Sequence, residues 1–413
     1  MERRVVVTGM GVVSPVGNDL NSYWDSLVNG RSGIGLITRF DTTDYKVKIA
    51  AEVKDFDPLQ YLAKPELRKT DLYSQYAIAA AAQAMEGSGI QGKVAPERLG
   101  VYVGSGIGGI ITTVTEVEKS VKNGPRRVSP YMIPMMIGNM ATGMIAMRHN
   151  AQGPSLPVVT ACATSTNAVG EAYRAIRYGY ADAIIAGGTE APIVGIAVAG
   201  FTSCMALSTN PDPATACRPF DKNRDGFIMG EGAAVLILEE YQHALDRGAR
   251  IYGEVAGYGN TNDAYHMTAP HPEGRGAAEA IRQAAQQAGI TSGEGLYINA
   301  HGTSTPLNDK GETLAIKLAL GEEAARKAAI SSTKSMTGHM LGATGAAEAI
   351  ASLMAIYNGI VPPTVNLVEP DEECDLDYTP LTARKMEVTA ALSTSLGFGG
   401  HNGCLAFKKI GKE

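Results

Sequence analysis

Short apolar runs alternate with helical stretches from one end of this 413-residue chain to the other, with no low-complexity linker between them. Arg4–Thr8, Gly100–Gly104, Ala183–Gly187, Ala233–Leu238, Leu296–Ala300 and Cys404–Phe407 read as strands. Leu72–Met85, Ala163–Tyr178, Glu239–Arg247, Gly276–Ala288 and Ala346–Tyr357 read as helices. Such alternation predicts a layered α/β structure, not separate all-α and all-β regions. The 48 glycines suit the tight strand-to-helix turns that layering demands. Aromatics make up only 6%, so small aliphatic side chains and the 16 flexible methionines must fill the interior.

The chain also repeats itself. Cys162-Ala-Thr-Ser-Thr…Ala175-Ile176…Gly179 lies over Gly342-Ala-Thr-Gly…Ala355-Ile356…Gly359, and both copies end on glycine, a natural residue just past a helix. The shared turn–helix order points to a duplicated unit. The second copy is expected to begin where Ile251-Tyr252-Gly253-Glu254-Val255 opens a new strand. The expected division is residues 1–250 and 251–413, packed as one body.

A formal net charge of −6 without a long block of like charge leaves no nucleic-acid footprint. Val5-Val6-Val7 is expected to break at Thr8-Gly9-Met10-Gly11, too short and glycine-rich for a signal segment. The charge-poor stretches Val128–Met147 and Ala191–Pro211 hold too many polar and helix-breaking residues for a membrane span; they read as buried interface or pocket lining. Five scattered cysteines without a CxxC pair point to a reducing, cytoplasmic compartment, away from a disulfide framework or zinc site. Val103–Gly109 fits G-x-G-x-x-G, but Asn123-Gly-Pro-Arg-Arg127 stands where the acidic ribose ligand belongs, so dinucleotide binding is not expected.

Four segments carry chemistry. Pro157-Val-Val-Thr-Ala-Cys162 delivers a cysteine to the start of a small-residue helix, whose unpaired N–H groups and dipole are expected to favour the thiolate. Asn299-Ala-His301-Gly-Thr303-Ser-Thr305 sets an imidazole and three hydroxyls at a strand end. Lys334-Ser-Met-Thr-Gly-His339 precedes a helix bearing Glu348; the lysine would keep the imidazole neutral, and the carboxylate would orient the pair. Gly397-Phe398-Gly399-Gly400 lets the backbone approach a ligand and leaves Phe398 free to swing. A thiol accepts an acyl group, and two imidazoles can stabilise a thioester enolate.

Together with Arg4–Gly17, Gly187-Gly-Thr-Glu190 and Arg218-Pro-Phe-Asp221, these segments resemble the β-ketoacyl-[acyl carrier protein] synthases, in particular the elongating enzymes of bacterial type II fatty acid synthesis. The resemblance spans nearly the whole chain and implies a thiolase-like, duplicated five-layer α-β-α-β-α fold and a homodimer. It implies that Cys162 accepts the acyl chain, that His301 and His339 promote malonyl decarboxylation and condensation, and that Lys334 supports them. The amides of Cys162 and Phe398 would form the oxyanion hole, with Phe398 as the gate and Gly399 binding substrate beside it. Thr303 and Thr305 would contact pantetheine, Ile107 and Phe201 would line the acyl pocket, and Met132 and Ile133 would reach a neighbouring subunit's pocket. No cofactor is implied, since the pantetheine arrives on the carrier. That acidic partner would dock on a local basic patch, from Lys64, Arg68 and Lys69 or from Lys122, Arg126 and Arg127. His401 stands where many relatives have threonine and is not read as a third catalytic imidazole. A polyketide ketosynthase, a non-decarboxylating thiolase and a catalytically silent chain-length partner remain the alternatives.

Overall fold

The computed structural model describes residues 3–411; residues 1, 2, 412 and 413, the outer ends of the two expected halves, lie outside the described residues. One mixed sheet holds β1 (Val5–Val13), β2 (Leu99–Gly104), β3 (Ala183–Glu190), β4 (Gly232–Glu240), β5 (Gly253–Asn262), β6 (Leu296–Asn299), β7 (Ala329–Ser331), β8 (Ala390–Gly397) and β9 (His401–Lys408). Their spatial order is β2-β3-β4-β1-β5-β9-β8-β6-β7.

The sheet is written twice. β2 runs parallel to β3, whereas β3–β4 and β4–β1 are antiparallel. In the same way β6 runs parallel to β8, whereas β8–β9 and β9–β5 are antiparallel. A further parallel neighbour flanks each set: β7 beside β6, and a single bridge from Ser155 to Val101 beside β2. The two sets meet only where Val5, Val6 and Val7 of β1 pair with β5.

Helices α1 (Leu72–Ser88), α2 (Thr164–Arg177), α3 (Gly195–Ser203), α4 (Arg275–Gln287), α5 (Pro306–Leu320) and α6 (Thr344–Asn358) complete the layers. α1 covers the outside of β1 and β4, α4 covers the outside of β5 and β9, and α5 packs on α4. α2 and α6 touch each other between the two sets of strands. Every side chain of α6 from Thr344 to Ile356 is buried, as expected of a helix enclosed on all sides. The repeat extends to strain. A 3-10 turn opens each central helix, Ala161–Ala163 before α2 and Leu341–Ala343 before α6, and Ala161 and Leu341 sit at φ +50° and +46°.

The first strand does not break at Thr8. β1 continues to Val13 with a bulge between Val7 and Gly9. Its glycines serve packing: a Cβ on Gly9 would lie 2.2 Å from the Ala84 carbonyl, and one on Gly11 2.0 Å from that of Ala80. Bare backbone lets α1 press directly on the strand. The helix expected over Glu239–Arg247 starts only at Tyr241, because Glu239 and Glu240 belong to β4. Among the described residues, no helix is long and apolar enough to cross a membrane.

Candidate active site

Cys162 occupies the 3-10 turn between the segment after the Ser155 bridge and α2, not the first turn of the helix proper. The positive φ of Ala161 turns the backbone sharply and presents the cysteine. The expected thiolate is not favoured. Enclosure by the surrounding walls pushes the thiol up to about 11, while Lys334 and the amides of Phe398 and Cys162 itself pull it down. Desolvation is the largest of these influences and acts against the thiolate. Gly397 brings the loop after β8 close: a Cβ there would sit 3.2 Å from the Cys162 nitrogen and 2.9 Å from the Thr160 carbonyl.

The other half supplies the imidazoles. His301 follows β6, and its turn is held by Glu312 of α5, which accepts from the His301 N–H at 2.7 Å and the Gly302 N–H at 2.8 Å. His339 follows the short helix Lys334–Thr337 and is hydrogen-bonded through Nδ1 to Thr344 Oγ1 at 3.0 Å. The two rings stand edge to face, 5.3 Å between centroids. His301 Nδ1 and His339 Nε2 are buried without a hydrogen-bond partner among the described residues. Burial first, then Lys334, and for His301 also His339, holds both well below the ordinary imidazole value. Both rings are therefore neutral at physiological pH and each carries one N–H to donate.

Lys334 is only 1% exposed, and its Nζ donates to Glu348 Oε1 at 2.5 Å. Burial raises the Glu348 carboxyl to about 7, against the pull of Lys334. The charge of Lys334 acts on both rings, and the lysine lies inside the molecule.

One cavity of about 390 Å³ gathers Cys162, Phe201, His301, Thr303, Thr305, His339 and Phe398. Thr303 Oγ1 and Thr305 Oγ1 are 2.9 Å apart at its wall. Phe201 and Phe398 are 6.3 Å apart, and Cys162 and Phe201 both pack on the apolar cluster of Ile193, Val198, Leu207 and Leu341. Four expected residues stand elsewhere. Gly399 is exposed, its N–H spent on the Met267 carbonyl at 2.8 Å, so its neighbours Phe398 and Gly400 line the cavity instead. Ile107, Met132 and Ile133 do not line it in the single chain. They lie on adjoining segments, where the Gly109 N–H donates to the Met136 carbonyl at 3.0 Å.

Lys64, Arg68, Lys69, Arg126 and Arg127 are all exposed, and none pairs with a carboxylate among the described residues. Lys69 Nζ reaches to 5.3 Å from the Tyr131 ring, which brings the two basic segments together. Lys122 is paired with Glu118. Sequence reasoning missed Glu312, which braces His301, and Phe227, whose ring meets His339 edge-on at 5.2 Å. An acidic residue within a helix eleven positions past a histidine carries no pattern that would single it out.

The comparisons with known proteins agree with this layout. The family described as "Beta-ketoacyl synthase, N-terminal domain" matches residues 2–244, and "Beta-ketoacyl synthase, C-terminal domain" matches residues 252–368. A protein named 3-oxoacyl-[acyl-carrier-protein] synthase 2 from Synechocystis sp. is 52% identical over 410 residues, covering 99% of this chain and 98% of that protein. One of the same name from Staphylococcus aureus (strain COL) is 51% identical over 409 residues, covering 99% of each. Among solved structures, the ishigamide ketosynthase/chain length factor is 37% identical with a TM-score of 0.92 over 100% of both chains. A β-ketoacyl synthase from Burkholderia phymatum STM815 is 33% identical with a TM-score of 0.92, covering 99% of this chain and 100% of that one. With matches of this extent on top of a shared cavity for one thiol and two imidazoles, the chain belongs to the β-ketoacyl synthase family and has its thiolase-like fold.

Proposed function

We propose that this protein elongates fatty acyl chains by decarboxylative condensation, joining an acyl group held on Cys162 to malonyl-[acyl carrier protein] and releasing 3-oxoacyl-[acyl carrier protein] and carbon dioxide. The observation that carries the reading is the convergence of Cys162, His301, His339 and Phe398 on one cavity. The reaction follows a ping-pong order. Cys162 Sγ attacks the acyl-carrier thioester, the amides of Cys162 and Phe398 hold the tetrahedral oxyanion, and the thiol proton leaves with the carrier thiol. Malonyl-carrier then binds along Thr303 and Thr305. His301 and His339 donate N–H groups to its thioester oxygen as the C–CO2 bond breaks, and the enolate carbon attacks the Cys162 thioester. The released thiolate takes a proton from solvent. No step calls on a cofactor belonging to this chain.

Identity of 51–52% to the relatives named 3-oxoacyl-[acyl-carrier-protein] synthase 2 exceeds the 37% to the ketosynthase/chain length factor, which favours fatty acid elongation over a polyketide role. Intact Cys162, His301 and His339 speak against a silent partner. Residues 1–250 and 251–413 act as two halves, the first giving the nucleophile and the second the imidazoles. The carrier docks on Lys64, Arg68, Lys69, Arg126 and Arg127, whose unpaired charges attract its acidic surface. A solved ketosynthase bound to its acyl carrier protein, 34% identical and similar over the full chain, supports that kind of partner. Free cysteines at all five positions fit a cytoplasmic setting. Ile107 lines the chain's own acyl pocket with Phe201, and Met132 and Ile133 complete a neighbouring subunit's pocket across a homodimer contact.

Replacing Cys162 with Ala removes acyl transfer and leaves the fold intact. Incubation with acyl- and malonyl-carrier protein, followed by mass analysis of enzyme and products, checks it; elongation by that variant at the native rate would overturn the assignment.

A further inference from the structure

The glycine run after β2 has the N–H groups of an anion site, and an anion from the chain itself fills it. Glu190, the last residue of β3, is fully buried. Its Oε1 accepts from Ser105 Oγ at 2.7 Å and the Ile107 N–H at 3.0 Å. Its Oε2 accepts from the Gly106 N–H at 2.9 Å and the Gly342 N–H at 3.0 Å. The Ser105 hydroxyl in turn accepts from the Gly108 N–H at 2.9 Å, so its own proton is committed to the carboxylate. Four donors converge on its two oxygens, an arrangement suited to the ionised form. Burial is the largest influence and holds this carboxyl above its ordinary value, against the pull of the four donors.

The donors come from both halves of the molecule. Ser105, Gly106 and Ile107 lead out of β2, while Gly342 belongs to the turn that follows His339. A Cβ on Gly106 would lie 2.8 Å from Glu190 Oε2, and one on Gly342 2.6 Å. The same Gly106 position is 3.6 Å from the Ala161 carbonyl, so the turn that presents Cys162 leans on this loop as well.

We propose that Glu190 is a positioning residue that locks the Ile107 loop to the His339 turn, so that the acyl-chain wall and the decarboxylating imidazole keep one spacing. The proposal rests on the condensing reading and on Ile107 facing the acyl chain. A misplacement of about 1 Å at a reacting centre can cost about a hundredfold in rate. In Glu190→Gln the side-chain NH2 meets backbone N–H groups in place of one oxygen, and the lock opens.

The test measures condensation with short and long acyl-carrier substrates in Glu190→Gln and Glu190→Asp, with Ile107→Trp as the control for the pocket. Glu190→Gln is expected to lose about tenfold or more in kcat, to keep KM for malonyl-carrier within about twofold, and to lose more with long chains than with short ones. Glu190→Asp, which keeps the charge, recovers part of the rate and the native long-to-short ratio. Plain destabilisation lowers the active fraction equally for every chain, so the ratio separates the two roles. A Glu190→Gln ratio within about twofold of the native one overturns the coupling. An unchanged ratio in Ile107→Trp overturns instead the pocket assignment beneath it.

Discussion

Cys162 has to ionise within walls that resist it, and the residues that ease the task are identifiable. Since burial raises its thiol to about 11 and Lys334 opposes that rise, alkylation of the resting enzyme by iodoacetamide should climb with pH to about 11. Exchanging Lys334 for Met and Glu348 for Gln together removes the buried charge without stranding its partner. Breaking the pair singly would cost about 3–5 kcal/mol. In the double variant the alkylation curve moves to higher pH, because a positive charge that favoured the thiolate is gone. The imidazoles move up too, so the acid limb of the elongation rate shifts toward neutral pH. A curve that stays in place on both limbs would show that Lys334 exerts no electrostatic influence there. At this scale the meeting of Cys162 with both histidines at one cavity and the partnership of Lys334 with Glu348 were readable, because each stands in a short motif beside glycine or small residues. The depth of enclosure was not. A sequence places Cys162 at a helix start and says nothing of what closes over the sulfur.

Among the elements, β1 shows how a local signal can be right in composition and wrong in consequence. Gly9 and Gly11 look like a strand's end, yet they are where α1 lies closest to the sheet. Gly11→Ala should therefore cost about 1–3 kcal/mol as an overpacked contact, seen as a lower melting temperature with the same far-ultraviolet dichroism. Unchanged melting would mean that α1 stands farther off than 2.0 Å allows. The central helices were legible to within a few residues, because their small residues recur and each ends at glycine. β8 was missed. Its sequence Ala390-Ala-Leu-Ser-Thr-Ser-Leu-Gly397 has no alternation, since Ala390 through Ser395 are buried on both faces between β9 and β6. Thr394 and Ser395 are spent inside, on Glu312 and Thr166.

For the molecule as a whole, the single chain leaves one edge unfinished. Beyond β2 the short segment from Gly153 to Leu156 pairs, with Gly153 donating to the Leu99 carbonyl at 2.9 Å, Val101 to the Pro154 carbonyl and Leu156 to that of Val101, the last two at 3.0 Å. Val159 on the same run is 60% exposed, Ile133 is 56% exposed, and three residues past Val159 comes Cys162. Val128–Met147 was read from sequence as buried interface or pocket lining, and Tyr131, Ile133 and Ile137 stand open in the single chain. An uncovered edge with apolar side chains is a template for a further strand, which a second copy related by two-fold symmetry would supply. The protein should therefore sediment as a dimer of its 43.3 kDa chain. Val159→Asp places a charge on that edge and should shift the species toward monomer, with loss of elongation, because the segment holding Cys162 loses its support and Ile133 its counterpart. Light scattering coupled to size exclusion, run beside the elongation assay, checks both. A native monomer that elongates at full rate would show that each chain closes its own acyl pocket.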